Sequence, residues 1–400
     1  MNIFKRGYCR VFQKGLYMAL PFLPYREPKI LKSNQEVVEV LKSNGVSSLL
    51  IVTDKGIRGL GLTEQLEQLF KSEGLKFVVY DETVANPTTQ NVEEALMLYK
   101  ENECQAIIAF GGGSAMDAAK ATGARIARPN KTLAKMKGIL KVRKKLPLLI
   151  AVPTTAGTGS ETTLAAVITD SQTRHKYAIN DFPLIPRYAL LLPQLTIGLP
   201  PMLTATTGMD ALTHAVEAFI GNSTTKKTRK EAIWAVDIIF KFLPIAYSEP
   251  QNIEARTKML EAAYHAGVAF TKSYVGYVHA VAHSLGGKYN IPHGLANAIL
   301  LPVVLKKYGR KVFKKLWILG VKAGLFDKTI SKEEGAKLFI EKIEDLNKSM
   351  NIGKVIGEIK EEDIPALAVT AEHEANPLYP VPVLFTAKQL EEIYREVKNG

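Results

Sequence analysis

The residues best suited to chemistry are histidines. Seven occur in 400 residues. Three of them, His279, His283 and His293, fall within residues 278–302 (VHAVAHSLGGKYNIPHGLANAILLP). His279 and His283 are four apart and share one face of a helix. His293 follows a turn marked by two glycines, an asparagine and a proline. Residues 208–220 (GMDALTHAVEAFI) place Asp210 and His214 at the same four-residue spacing on an otherwise apolar helix. Burying such groups without partners is costly, and a divalent metal would supply the partner. One aspartate oxygen and up to three imidazole nitrogens suit Fe(II) or Zn(II) and disfavour calcium or magnesium. His175, His265 and His373 lack such company and are read as ordinary histidines.

Two loops could hold phosphate. Residues 110–120 (FGGGSAMDAAK) run from an apolar strand through three glycines and Ser114 into an alanine-rich helix. Glycines admit a phosphate close to the backbone, and a helix N-terminus offers free N–H groups at the positive end of its dipole. Residues 153–163 (PTTAGTGSETT) follow another strand and are dense in hydroxyls, which can reach phosphate, ribose or amide groups. Two such loops on one sheet converge where open α/β sheets bind ligands. Asp54 ends the first strand. A carboxylate there accepts from an adenosine ribose and repels a 2′-phosphate, which favours NAD over NADP.

The elements that must carry these loops alternate in the first half. Apolar runs at 47–53, 75–80, 105–110 and 146–152 read as strands, and amphipathic stretches at 63–73, 91–102 and 114–127 read as helices. Continuous apolar strands separated by helices predict a parallel sheet covered on both faces. From residue 201 onward the 3.6-residue period dominates, with helices at 203–220, 229–243, 252–270 and 332–347. The expected architecture is an α/β, doubly wound, Rossmann-like N-terminal domain with its arm (1–200) and an all-helical metal- and substrate-binding domain (201–400).

Composition agrees with a folded, core-forming chain, at 46 % hydrophobic and 23 % charged residues. Two cysteines cannot make a disulfide framework or a cysteine zinc site, which fits the cytoplasm. No apolar run reaches the length of a membrane span. The net charge of +13 draws anions, but the basic runs at 141–145 and 306–315 carry no nucleic-acid motif and read as solvated surface. In the first thirty residues Lys5, Arg6, Arg10 and Lys14 precede the apolar stretch 15–24 (GLYMALPFLP). Two prolines and the lack of a cleavage site favour a packed arm over a signal peptide, with a surface-lying amphipathic anchor as a third reading.

Taken together, GGGSAMDAAKA, PTTAGTGSE, GMDALTHAVEAFI and the long histidine segment resemble, in order, the signatures of the iron-containing (group III) alcohol dehydrogenase family. The resemblance runs from about residue 30 to the C-terminus. It implies that Asp210, His214, His279 and His293 hold the metal, and that His283 lies beside nicotinamide and substrate. It places Gly112, Gly113, Ser114 and Asp117 around the pyrophosphate. Asn86, Thr154, Thr155, Thr158 and Lys176 then line the cofactor site. A family aspartate is replaced by Leu192.

The chemistry implied is reversible hydride transfer between an alcohol carbon and nicotinamide. The cofactor carries the hydride, and a divalent cation stabilises charge developing on the substrate oxygen. His283 is the candidate proton relay. The alanine, tyrosine and phenylalanine content of residues 262–277 suits a small, weakly polar substrate, with Phe270 as a pocket wall. The expected cofactors are NAD, or else NADP, and Fe(II), or else zinc. The expected substrate is a small alcohol, diol or aldehyde. The chain is expected to form a homodimer or larger homo-oligomer, with neither nucleic acid nor membrane as partner. The alternative is a dehydroquinate-synthase-like or glycerol-dehydrogenase-like enzyme on the same fold.

Overall fold

The computed structural model describes residues 3–173 and 175–400. They group into two compact units. Pro24–Gly198 is one; Leu199–Gly400, joined by the arm up to Leu23, is the other. The division lies two residues from the boundary expected at 200. The arm, which the sequence reading joins to the first domain, groups with the helical unit instead.

Among the described residues, nine strands belong to the α/β unit. They are β1 (Lys29–Leu31), β2 (Ser48–Val52), β3 (Lys76–Tyr80), β4 (Ala106–Gly111), β5 (Gly138–Ile139), β6 (Leu148–Pro153), β7 (Ala165–Thr169), β8 (Lys176–Asn180) and β9 (Tyr188–Leu190). Six form a parallel sheet in the order β1-β9-β6-β4-β2-β3. Strands β2 and β4 are buried along their whole length, as continuous apolar runs between two helical layers require. The chain leaves β2 for β3 on one side and returns to β4 on the other. The switch point therefore lies between β2 and β4, where an open sheet leaves a crevice at the strands' carboxyl ends. A second sheet, ordered β5-β8-β7, lies outside the main one.

Helix starts in this unit are written in side chains. Thr88 and Asn91 form a reciprocal capping box at Thr89–Glu101, and Asp54 caps Lys55–Gly59. The Gly113–Ala127 helix is different, since Gly112 at its N-cap offers no side chain to its N–H groups. Its alanines pack flush against the sheet, burying Ala115, Ala118 and Ala119.

The helical unit is built around Pro201–Ile220, buried along most of its length. Lys226–Ser248, Ile253–Ser273, Tyr277–Tyr289 and His293–Tyr308 follow in sequence. The low polarity of Pro201–Ile220 on all sides is what a central helix requires. Among the described residues no helix is long and apolar enough to cross a membrane.

Candidate active site

The metal-type residues meet inside the helical unit. Asp210 and His214 project from Pro201–Ile220, His279 and His283 from Tyr277–Tyr289, and His293 begins His293–Tyr308. One ligand atom from each of Asp210, His279 and His293 falls within 4.8 Å of the others. The Asp210 Oδ1 lies 3.5 Å from His293 Nε2, 3.7 Å from His279 Nε2 and 3.9 Å from His214 Nε2. Asp210, His214 and His279 are buried. The His214 ring is sandwiched between Phe270, stacked at 4.0 Å, and His279 at 4.6 Å.

Whether this cluster suits a cation follows from its donors. Asn297 directs its Nδ2 at Asp210 Oδ1 (2.7 Å), His293 Nε2 (3.0 Å) and His279 Nε2 (3.3 Å). Three ligand-type atoms thus converge on one amide nitrogen. The Asn297 Oδ1 is left buried with no hydrogen-bond partner among the described residues. A set of acceptors facing inward with too few protons to satisfy them fits a divalent ion.

The protonation states agree. His279 Nδ1 lies 2.6 Å from Glu217 Oε2, which fixes the ring proton on Nδ1 and turns the Nε2 lone pair into the cluster. Burial, then the neighbouring His214, His293 and His283, push the His279 pKa well below its ordinary value, so the ring is neutral. Glu217 also accepts from the N–H groups of Gly276 and Val278 at 2.8 and 2.9 Å. Burial nevertheless raises its pKa to about 7.

His283 stands at the edge of this group. Its ring stacks on His293 at 5.1 Å, and its Nδ1 meets Glu374 Oε1 at 2.6 Å. Tyr379 donates to the same oxygen at 2.8 Å. Burial works against ionisation of Glu374, but His283, Tyr379 and His293 together outweigh it and hold the carboxyl below its usual pKa.

The dinucleotide-type residues gather in the α/β unit. Gly111 sits beside Pro153 in the β4–β6 register, so the loops after both strands lie side by side. A Cβ on Gly113 would come within 3.4 Å of Thr158, and one on Gly112 within 3.7 Å of Thr155. Gly111 adopts φ +149°, and a Cβ there would press on Ala115 at 2.8 Å, so only glycine fits the turn. Ser114 lies in the first turn of Gly113–Ala127. Thr154 is buried and donates its N–H to the Gly111 carbonyl. Asn86, in the left-handed conformation, accepts from Lys176 Nζ at 2.6 Å.

Two of the expected cofactor residues are partly engaged by the protein. Asp54 Oδ1 accepts from the Ile57 N–H at 2.9 Å. Asp117 accepts from the Val167 N–H at 3.1 Å and from Ser160 Oγ at 3.4 Å, and burial raises its pKa to about 6. One helical turn on, Lys120 is fully buried. Its Nζ donates to the Ser160 carbonyl (2.6 Å), Thr163 Oγ1 (2.7 Å), Ser160 Oγ (2.9 Å) and the Ala165 carbonyl (3.0 Å). This clasp ties the glycine-loop helix to the hydroxyl-rich loop.

Glu217, Asn297 and Glu374 are absent from the sequence reading. Glu217 lies seven residues after Asp210 and three after His214, and Asn297 four after His293, so helical spacing carried a signal for both. Glu374 is remote in sequence from His283, and only the fold joins them.

A dinucleotide-type α/β unit and a helical unit with a histidine–carboxylate cluster define a metal-dependent dehydrogenase class. Comparison with known proteins gives the family. The profile for iron-containing alcohol dehydrogenases matches residues 31–193, and that for the C-terminal part of the Fe-containing alcohol dehydrogenase family matches residues 204–397. Alcohol dehydrogenase 4 of Saccharomyces cerevisiae is 37 % identical over 366 residues, which span 90 % of this chain and 94 % of that protein. The NAD-dependent methanol dehydrogenase of Bacillus methanolicus is 35 % identical over 339 residues, 84 % of this chain and 89 % of that one. The solved structure of an alcohol dehydrogenase from Oenococcus oeni superposes with a TM-score of 0.89 at 33 % identity, covering 94 % of this chain and all of that one. The chain belongs to the iron-containing alcohol dehydrogenase family.

Proposed function

We propose that this enzyme transfers hydride between a small alcohol or diol and NAD, with Fe(II) held by Asp210, His214, His279 and His293. The observation that carries the reading is the convergence of Asp210, His279 and His293 on one point, with His214 stacked against them. When bound, the cation supplies Lewis acidity that stabilises negative charge on the substrate oxygen.

The chain's own residues do the rest. Glu217 holds the His279 proton on Nδ1. Phe270 covers His214 with an apolar face, which suits an uncharged carbon chain. With Nδ1 committed to Glu374, His283 takes up or delivers a proton at Nε2. The N–H groups at the start of Gly113–Ala127, left uncapped by any side chain, receive the pyrophosphate. Gly112, Gly113, Ser114, Thr154, Thr155 and Thr158 surround it, and Asn86 with Lys176 flanks it. Asp117 acts by anchoring the β7 backbone at Val167. Asp54, at the end of β2, selects NAD over NADP by repelling a 2′-phosphate. We also propose a cytoplasmic homodimer or larger homo-oligomer; both cysteines are free and buried, as a reducing compartment allows.

The test is a panel of short alcohols and diols with NAD and NADP, run on metal-stripped protein resupplied with Fe(II). Net NADH formation that depends on the cation is the expected result. His279→Ala should lose bound metal and turnover together. Unchanged metal content in that variant contradicts the ligand assignment.

A further inference from the structure

The N-terminal helix Ile3–Ala19 presents two unlike faces. Cys9 and Gln13, four residues apart, are buried, as is Leu20 in the turn that follows. That side is pinned to the C-terminal segment. Arg10 donates to the carbonyls of Val381 (2.7 Å) and Pro382 (3.0 Å), Gln13 to that of Tyr379 (2.7 Å), and Lys5 pairs with Glu372 at 3.0 Å. The opposite side carries Phe4, Tyr8, Val11, Gly15 and Met18, at steps of four, three, four and three, with Phe12 alongside. Phe4 is 84 % exposed and Val11 72 %, and Phe22 in the next turn is 87 % exposed. A Cβ built on Gly7 or Gly15 would meet no atom within 4 Å, so the stripe looks onto open space. Scattered apolar residues on a surface need no explanation; a continuous exposed apolar stripe along a helix does.

Charge selects the occupant. The helix holds Lys5, Arg6, Arg10 and Lys14 and no acidic residue, and the chain as a whole carries +13. A second copy docking through the same stripe would set cations against cations. An anionic lipid surface meets both features at once, taking the apolar side chains between headgroups and neutralising Lys14 at the border of the stripe. The family profiles begin at residue 31, beyond this helix.

We propose that the Ile3–Ala19 helix docks the enzyme reversibly on anionic membrane surfaces, against the sequence-based expectation of no membrane partner. The helix lies in the headgroup layer and does not span the bilayer.

Flotation of the full chain with phosphatidylcholine vesicles, with or without about a third phosphatidylglycerol, tests this. Binding to the anionic vesicles alone is expected, weakening as salt rises. Lys14→Gln should lower the partition coefficient about fivefold. Val11→Glu with Met18→Glu should abolish binding. Alcohol turnover of each variant in vesicle-free solution should match the parent chain and reports that it is folded. Three results overturn the proposal: no binding to anionic vesicles, binding that survives the Val11→Glu, Met18→Glu change, or sedimentation showing that this change dissolves an oligomer.

Discussion

An imidazole offers Nε2 to a cation only while its proton sits on Nδ1. In this protein that condition is met for His279 by one buried carboxylate. Glu217 Oε2 accepts from the Nδ1–H, and the same carboxylate also accepts from the backbone N–H groups of Gly276 and Val278. Glu217→Gln keeps the shape but can turn an NH2 toward Nδ1, which favours the wrong tautomer. Chelator competition should then show metal affinity lowered about 10- to 100-fold, with the fold intact by circular dichroism. An affinity equal to that of the parent chain would remove Glu217 from the site. The sequence made Asp210, His214, His279 and His293 visible because polar groups at helical spacing stand out against alanine, valine and leucine. Glu217 obeys the same spacing but reads as an ordinary helix glutamate, because only its burial marks it. Glu374 carries no local signal, since its link to His283 exists only once the Ile364–Ala375 helix packs beside Tyr277–Tyr289.

Elements position these residues through close approaches that few side chains permit. His293–Tyr308 crosses Pro201–Ile220 at Gly294, where a Cβ would fall inside the contact distance of the Thr206 carbonyl oxygen. Gly294→Ala must push the two helices apart, and with them His293 and Asp210. We expect a loss of about 1–3 kcal/mol in stability and a larger proportional loss of metal affinity, read by thermal melting and metal titration on the same sample. In the α/β unit, Lys120 bridges two elements from within the core, and Glu161 is buried nearby. Burial, opposed by its own N–H and by Lys120, raises the Glu161 pKa from 4.5 to about 7. A raised carboxyl pKa makes the folded state hold its proton longer than the unfolded chain. The resulting stabilisation is present in full below pH 4.5 and is lost as pH rises through 7, a change of about 3 kcal/mol. Glu161→Gln should therefore flatten the stability profile between pH 4.5 and 8 relative to the parent chain. Parallel profiles for the two proteins would contradict this. At this scale the sequence was most legible where elements are long or buried. The runs that became β2, β4 and β6 are continuously apolar, whereas β1 and β9 are three residues each. The alternating burial of β7 and β8 marks a small outlying sheet, and a chain read for a buried parallel sheet passes over it.

At the scale of the molecule, labour is divided. One unit supplies the strand ends, glycines and hydroxyls that suit a dinucleotide; the other supplies the buried carboxylate and imidazoles that suit a cation. Near residue 199, where the two units divide, strand-type runs give way to helical periodicity at a pair of prolines. The place of the arm carries no such local signal, because its pairing with residues 372–382 spans almost the whole chain. Hydride transfer should require the cation proposed to be held by Asp210 and the three histidines. The most direct test is an anaerobic titration of Fe(II) into the metal-free chain in the presence of NAD and an alcohol substrate, following NADH absorbance. The rate should climb from background to a plateau at one cation per chain, with Asp210→Ala staying at background. Full turnover by a chain from which all metal has been removed would contradict that requirement.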